Sequence, residues 1–258
     1  MARFFMELAY RGKNYHGWQI QPNAITVQEV LNTCVGKMLG QEINIVGCGR
    51  TDTGVHASYF VAHFESEKLP LGTEQFCYKL NRFLPRDIAV YSMTQVDEQT
   101  HSRFSAINRS YEYHLVTQKN PFLQESAYYL DKGIDFSKMN EAAQVLLDYT
   151  DFTSFSKLHT DVKTNNCKIT KAIWEQKSDR WVFAISADRF LRNMVRAIVG
   201  TLLEVGQEKI SLQRFCEIIE AKDRGLAGTS APAHGLYLVG VDYPEALFIP
   251  KHQRVCCL

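Results

Sequence analysis

The sequence predicts an α+β protein made of two ferredoxin-like (RRM-like) halves packed together. Two observations carry this expectation. Residues 1–100 alternate between period-two and helical apolar spacing in the order β-α-β-β-α-β, and a second series of the same kind follows with no Pro- or Ser-rich linker between them. The length of 258 residues, 45% of them hydrophobic, suffices for one large core or two smaller ones.

Phe4, Met6, Leu8 and Tyr10 fall on alternate positions, the spacing of one strand face, and glycines 12 and 17 mark a turn-rich loop. From Thr26, a candidate N-cap, Val27, Val30, Leu31, Cys34, Val35 and Met38 follow helical spacing to a stop at Gly40. A strand over 43–46, a glycine-rich polar segment, a strand over 59–64, a helix over 73–83 and a strand over 88–96 complete the first series.

The second series predicts strands over 111–116 and 128–130, a helix over 137–147, and strands over 169–176 and 181–186. A helix over 191–205 carries a continuous apolar stripe through residues 191, 194, 195, 198, 199, 202 and 203. A helix over 212–221 and a strand over 236–241 end it. The break falls between Gln99 and Ser110, giving halves 1–104 and 105–258 that are expected to share a cleft.

The charge balance is 29 basic against 28 acidic residues, so a polyanion partner must be attracted by a local patch rather than by total charge. Seven cysteines, with no C-x-x-C pair or Cys/His run, argue for reduced thiols and against a zinc site. His56, His63, His114 and His159 show no i, i+4 metal spacing, and no Gly-rich nucleotide-binding motif is present, so neither a metal nor a cofactor is expected. Glu7 interrupts the first apolar stretch and no later run reaches membrane-spanning length, which leads us to expect a soluble, cytoplasmic protein. The terminal Val255-Cys256-Cys257-Leu258 does not make a prenylation box, since Val255 stands where cysteine is needed.

The densest polar information is the segment from Gly47 to Ala57, between two predicted strands, with Arg50, Asp52 and His56 among three glycines. The plainer reading makes Asp52 a turn cap. Asp52-Thr53-Gly54 is also the tripeptide of aspartic proteases, but those enzymes need two such aspartates sharing a proton, and this chain has one. In the second half, Arg192 and Arg196 stand four apart on the predicted apolar helix. Arg196 borders the buried stripe and calls for a carboxylate partner, while Arg192 reads as a solvated edge. Residues 101–113 interleave Arg103 and Arg109 with Phe104, Tyr111 and Tyr113, chemistry suited to phosphates and unpaired bases, or to a strand with tyrosines inward and arginines outward.

Taken in order, these segments resemble the tRNA pseudouridine synthase A family. The matching residues are Tyr10-x-Gly12-x-x-Tyr15-x-Gly17-Trp18-Gln19-x-Gln21, Val27-Gln28, Gly49-Arg50-Thr51-Asp52-x-Gly54-Val55-His56 and Leu84-Pro85-x-Asp87-Ile88. Arg103-Phe104-Ser105-Ala106 with Arg109-x-Tyr111-x-Tyr113, Asp151-Phe152-Thr153-Ser154-Phe155, Phe190 with Asn193-Met194-Val195-Arg196, and Gly235-Leu236-Tyr237-Leu238 complete the series. Arg11, Thr53 and Lys168 depart from common family residues without touching the signature aspartate.

The resemblance implies isomerisation of uridine to pseudouridine at positions 38, 39 and 40 of the tRNA anticodon stem and loop. Asp52 matches the catalytic aspartate, Arg196 its basic partner, Tyr111 the tyrosine stacked on the uracil, Leu236 an apolar wall, and Arg50 the residue that fills the gap left by a flipped nucleotide. It further implies one extended, mainly antiparallel sheet with helices on one face, a central active-site cleft, a homodimer and tRNA as partner. Arg103, Arg109 and Arg192 are expected tRNA contacts. The competing class is a non-catalytic RNA-binding module, against which stand the absent RNP1 aromatic signature and an otherwise unneeded Arg50-Thr51-Asp52.

Overall fold

The computed structural model describes residues 1–131, 133–157 and 164–247. His159, Lys163 and the Cys256-Cys257 tail lie outside the described residues. The chain forms two compact units, one comprising Met1–Ile107 with residues 240–247, the other Asn108–Val239. Both mix helices with mainly antiparallel strands, an α+β construction.

In the first unit β1 (Ala2–Tyr10) lies between β3 (His56–Ser66) and β4 (Ile88–Val96), antiparallel to each, with Phe4 opposite Phe64 and Met6 opposite Met93. Helix α1 (Val27–Leu39) starts where expected. The Thr26 side chain accepts from the Glu29 amide, and Gly40 ends the helix in the left-handed region with φ +69°. Helix α2 (Gly72–Phe83) is tied to β4 by Asn81, whose amide donates to the Val90 carbonyl at 2.6 Å and accepts from the Val90 N–H at 2.7 Å.

Phe4, Met6, Leu8 and Tyr10 share one buried face of β1 as expected, and Phe5 and Glu7 on the other are equally buried; Phe5 packs on His63 and edge-on to Tyr243, so both faces are covered. One expectation needs correction here. The strand expected over 43–46 shrinks to β2 (Val46–Gly47), paired with β3. Side chains of α1 take the backbone groups a ladder would have used: the Ile45 N–H donates to Asn32 Oδ1 at 3.0 Å and the Ile45 carbonyl accepts from Gln28 Nε2 at 2.7 Å.

In the second unit β8 (Arg180–Ala187) is antiparallel to both β5 (Asn108–Val116) and β7 (Ile169–Lys177), and β6 (Tyr128–Tyr129) runs parallel to β5. Helix α3 (Phe136–Val145) repeats the device of α2: Asn140 exchanges two hydrogen bonds with the Trp174 backbone, and Gln144 donates to the Ala172 carbonyl. Helix α4 (Met194–Gly206) is the apolar helix expected, buried on nearly every side. It begins three residues later than the stripe suggested, because Asn193 sits at φ +66° and cannot be a helical residue. Arg192 therefore precedes the helix and does not share a face with Arg196. Helix α5 (Leu212–Glu220) follows, and β9 (Leu236–Asp242) starts in this unit and ends in the first.

Among the described residues no helix is long and apolar enough to cross a membrane. Cys34, Cys48, Cys77, Cys167 and Cys216 are free thiols, and burial raises Cys77 to about 11 and Cys167 to about 12, which makes them poor nucleophiles.

Candidate active site

The loop carrying Asp52 runs from Gly47 into β3 and is pinned on both sides of the carboxylate. The Thr51 hydroxyl shares a buried hydrogen bond of 2.8 Å with the Tyr10 hydroxyl, and the Thr51 carbonyl accepts from the Trp18 N–H at 3.2 Å. The Asp52 carbonyl accepts from the Val55 N–H at 3.1 Å, closing a turn through Gly54 at φ +79°, whose own N–H donates to the Tyr15 carbonyl. His56 is buried, and its Nδ1 accepts from the Gly12 N–H at 3.0 Å. Asp52 itself is half-buried, while Thr53 and Arg50 are exposed. The effect is a fixed backbone on both sides of a half-buried aspartate.

The glycines of the first motif explain how the two loops come so close. A Cβ on Gly12 would stand 1.9 Å from the Val55 carbonyl oxygen, and one on Gly17 would stand 2.3 Å from the Thr51 carbonyl oxygen. Gly47 leaves room for the Trp18 indole, which stacks on Phe60 at 4.1 Å. The outer side of this first loop is held by Asp87, which accepts from the Tyr15 hydroxyl at 2.6 Å and from Asn14 Nδ2 at 3.1 Å, with its carbonyl accepting from the Arg11 N–H. Burial, reinforced by the Asp87 hydrogen bond and charge, pushes the Tyr15 phenol far above its ordinary range, so it remains a donor. Gln28 completes the clamp by accepting from the Ile20 N–H and donating to the Ile45 carbonyl. Four separate sequence motifs thus form one support for Asp52.

In the second unit Arg196 is half-buried on the first turn of α4 and is joined to Ala231 in both directions. Its Nε donates to the Ala231 carbonyl at 2.8 Å, and the Ala231 N–H donates to the Arg196 carbonyl at 2.9 Å. The segment onward to Leu236 is held by Tyr113, fully buried, whose hydroxyl donates to the Pro232 carbonyl at 2.9 Å. Burial raises the Tyr113 phenol well above its ordinary value, against the opposing pull of the Arg196 charge. Gly235 packs on the Tyr113 ring where a Cβ would stand 2.8 Å from it, and Gly200 of α4 lets the helix approach Thr229. Tyr111, two residues along β5, is half-buried, with its ring edge-on to Phe190 at 5.1 Å.

The expected residues therefore fall into two groups. The first unit carries Arg50, Asp52 and Arg103; the second carries Tyr111, Arg109, Arg192, Arg196 and Leu236. Arg109 donates to the Asp188 carbonyl at 2.8 Å, tying β5 to the segment after β8. Arg192 and Arg103 are exposed. Sequence reasoning missed the supporting work of Gly12, Gly17, Tyr113 and Asp87. Two glycines five apart in an aromatic loop read only as a turn, and the close approach that requires them depends on a loop some forty residues on. No group of three or more His, Cys, Asp or Glu residues that could hold a metal ion occurs among the described residues.

A family model described as tRNA pseudouridine synthase matches residues 8–105 and 142–244. A tRNA pseudouridine synthase A of Parabacteroides distasonis is 56% identical over 249 residues, covering 96% of this chain and 98% of that protein. The proteins of the same name from Bacteroides fragilis and Thermoanaerobacter sp. are 55% and 39% identical, covering 96% and 94% of this chain and 99% and 100% of their own. The first matched stretch contains the Asp52 loop and the second contains Arg196 and Ala231, and the chain belongs to the tRNA pseudouridine synthase family.

Proposed function

We propose that this chain isomerises uridine to pseudouridine at positions 38, 39 and 40 of the tRNA anticodon arm, with Asp52 as the reacting carboxylate. As a member of its family it is an isomerase acting on tRNA. The observation that carries the role of Asp52 is the loop itself: hydrogen bonds or glycine contacts fix the backbone from Thr51 to His56 around a half-buried Asp52. A turn cap needs no such framework.

The reaction breaks the N1–C1′ bond, turns the uracil, forms a C5–C1′ bond, and loses the C5 proton while N1 gains one. It is redox-neutral and calls for no cofactor. An ionised carboxylate below the ribose serves either by adding to C1′ or by taking the C2′ proton. In this reading Arg196 is the basic partner of the reacting carboxylate, its guanidinium oriented by the bond from Nε to Ala231. Tyr111, steadied by Phe190, stacks on the uracil and assists removal of the C5 proton; Leu236 forms the apolar wall. Arg50 fills the gap in the arm once the target nucleotide has flipped out, and Arg103, Arg109 and Arg192 bind phosphates. In this reading two ferredoxin-like halves, 1–104 and 105–258, extend one sheet and form the cleft, and a cytoplasmic homodimer is the working form.

The test is incubation with unmodified tRNA carrying tritium at uridine C5, followed by mapping of pseudouridine. Wild-type protein releases tritium and modifies positions 38–40; Asp52→Asn binds tRNA yet releases none. Turnover surviving in Asp52→Asn overturns the catalytic role, and binding without turnover by the wild type favours an RNA-binding module.

A further inference from the structure

The turn over residues 101–105 holds an aromatic ring out of the protein with unusual firmness. Phe104 is 76% exposed. The ring's apolar surface is left to solvent or to a partner. The fixing is thorough. The His101 ring lies 4.4 Å from that of Phe104, and its Nδ1 accepts from the N–H groups of Arg103 at 3.0 Å and Phe104 at 3.3 Å. The His101 N–H donates to the Ser105 hydroxyl, and the Ser105 N–H donates to the His101 carbonyl. Beneath it, buried Ser102 is bonded through its hydroxyl to His63 Nδ1 at 2.7 Å and to the Val46 carbonyl at 2.8 Å, and its carbonyl accepts from the Tyr243 hydroxyl. The Arg103 guanidinium lies 5.6 Å from the centre of the Phe104 ring.

We propose that Phe104 is a stacking platform for an unpaired base of the bound tRNA, with Arg103 beside it engaging the adjoining phosphate. The inference rests on the function proposed above and adds a contact that the isomerisation itself does not require. A rigid ring with a cation at its side matches the two faces of a single-stranded nucleotide, whose base stacks and whose phosphate is anionic. Because the turn is already ordered, binding does not have to freeze it. A second protein copy would bury leucine here nearly as well as phenylalanine, whereas a base needs a flat ring to stack on, and this difference separates the two occupants.

The experiment compares Phe104→Ala, Phe104→Leu and Phe104→Trp with wild type for binding of unmodified tRNA and of a fully paired RNA duplex of similar length. Stacking on one base predicts that tRNA affinity falls about 5- to 100-fold in the Ala and Leu variants, is kept by Trp, and that duplex affinity stays unchanged in all three. The loss appears in KM for tRNA, with kcat within about twofold. Thermal unfolding should be unaltered, since so exposed a ring contributes little to the core. Wild-type affinity in Phe104→Ala, full rescue by Leu, or a changed oligomeric state with unchanged tRNA affinity each overturns the proposal. Wild-type protein that neither binds nor modifies tRNA would instead overturn the broader function, and this proposal with it.

Discussion

Adding one methyl group at Gly17 tests whether the backbone contact beneath Asp52 sets its position. Residue 17 sits at φ +83°, a region where an L side chain is strained by about 1–2 kcal/mol. The new Cβ would also face the Thr51 carbonyl oxygen at 2.3 Å, whereas ordinary contact begins at 3.4 Å. Relief requires the loop to retreat by about 1 Å, since both atoms belong to, or are attached directly to, backbone. Displacing a reacting group by that distance lowers a rate by about 100-fold. Gly40 supplies the control: it has φ +69° but nothing within 4 Å of an added Cβ, so Gly40→Ala carries the backbone strain without the push. Gly40→Ala should lose about 1–2 kcal/mol in urea unfolding and Gly17→Ala more than that, with Tm falling by about 2–4 °C for each kcal/mol. In tritium release from tRNA, only Gly17→Ala should show kcat reduced by about 100-fold. Wild-type kcat in Gly17→Ala, or equal loss of activity in Gly40→Ala, would refute the reasoning.

Two further expectations follow from the hydrogen-bonded supports. His63 is buried beneath the 101–105 turn and its pKa is lowered from 6.5 to about 4, first by burial and then by His101 and Arg3, with Glu65 opposing. The unfolded chain therefore takes up this proton first, so stability is complete above about pH 6.5 and is lost as pH falls toward 4, by about 3 kcal/mol for this group. Urea unfolding at pH 7 and 4.5 should show the fall, and His63→Gln should flatten it; equal slopes would remove His63 as the cause. Arg196→Lys keeps the charge but lacks the secondary nitrogen that donates to Ala231, so it should lose about 1.5–3 kcal/mol in unfolding together with most turnover. An active Lys variant would show that charge alone is enough.

Much of the fold was legible because local chemistry and tertiary structure agree. Thr26 bounds α1 through its side-chain oxygen and Gly40 through its freedom to turn left-handed, and β4 occupies the residues its alternation marks. Where the reading failed, a distant group had intervened. Residues 43–45 carry a strand's composition, but Asn32 and Gln28 claim the Ile45 backbone. The apolar stripe extends back to Leu191, but Asn193 adopts a left-handed conformation and shares a hydrogen bond with Ser230. Among the candidate site residues, Asp52 was visible from its setting of small and polar neighbours. The value of Gly12, Gly17 and Tyr113 was not, since each matters through a partner far along the chain that composition does not name.

The distribution of the first unit along the chain also sets a schedule for its folding. The Tyr243 hydroxyl reaches the Ser102 carbonyl across 141 residues of sequence, and the Ile107 N–H donates to the Asp242 carbonyl. At about 5–20 residues per second, a ribosome needs roughly 7–30 s to traverse that interval. For much of it, the part of the chain that bears Asp52 has left the ribosome but lacks its closing contacts. Phe5, which Tyr243 will eventually cover, is exposed to chaperones or to other nascent chains for the same period. Slower translation near the end of the message would lengthen that exposure without changing a single residue.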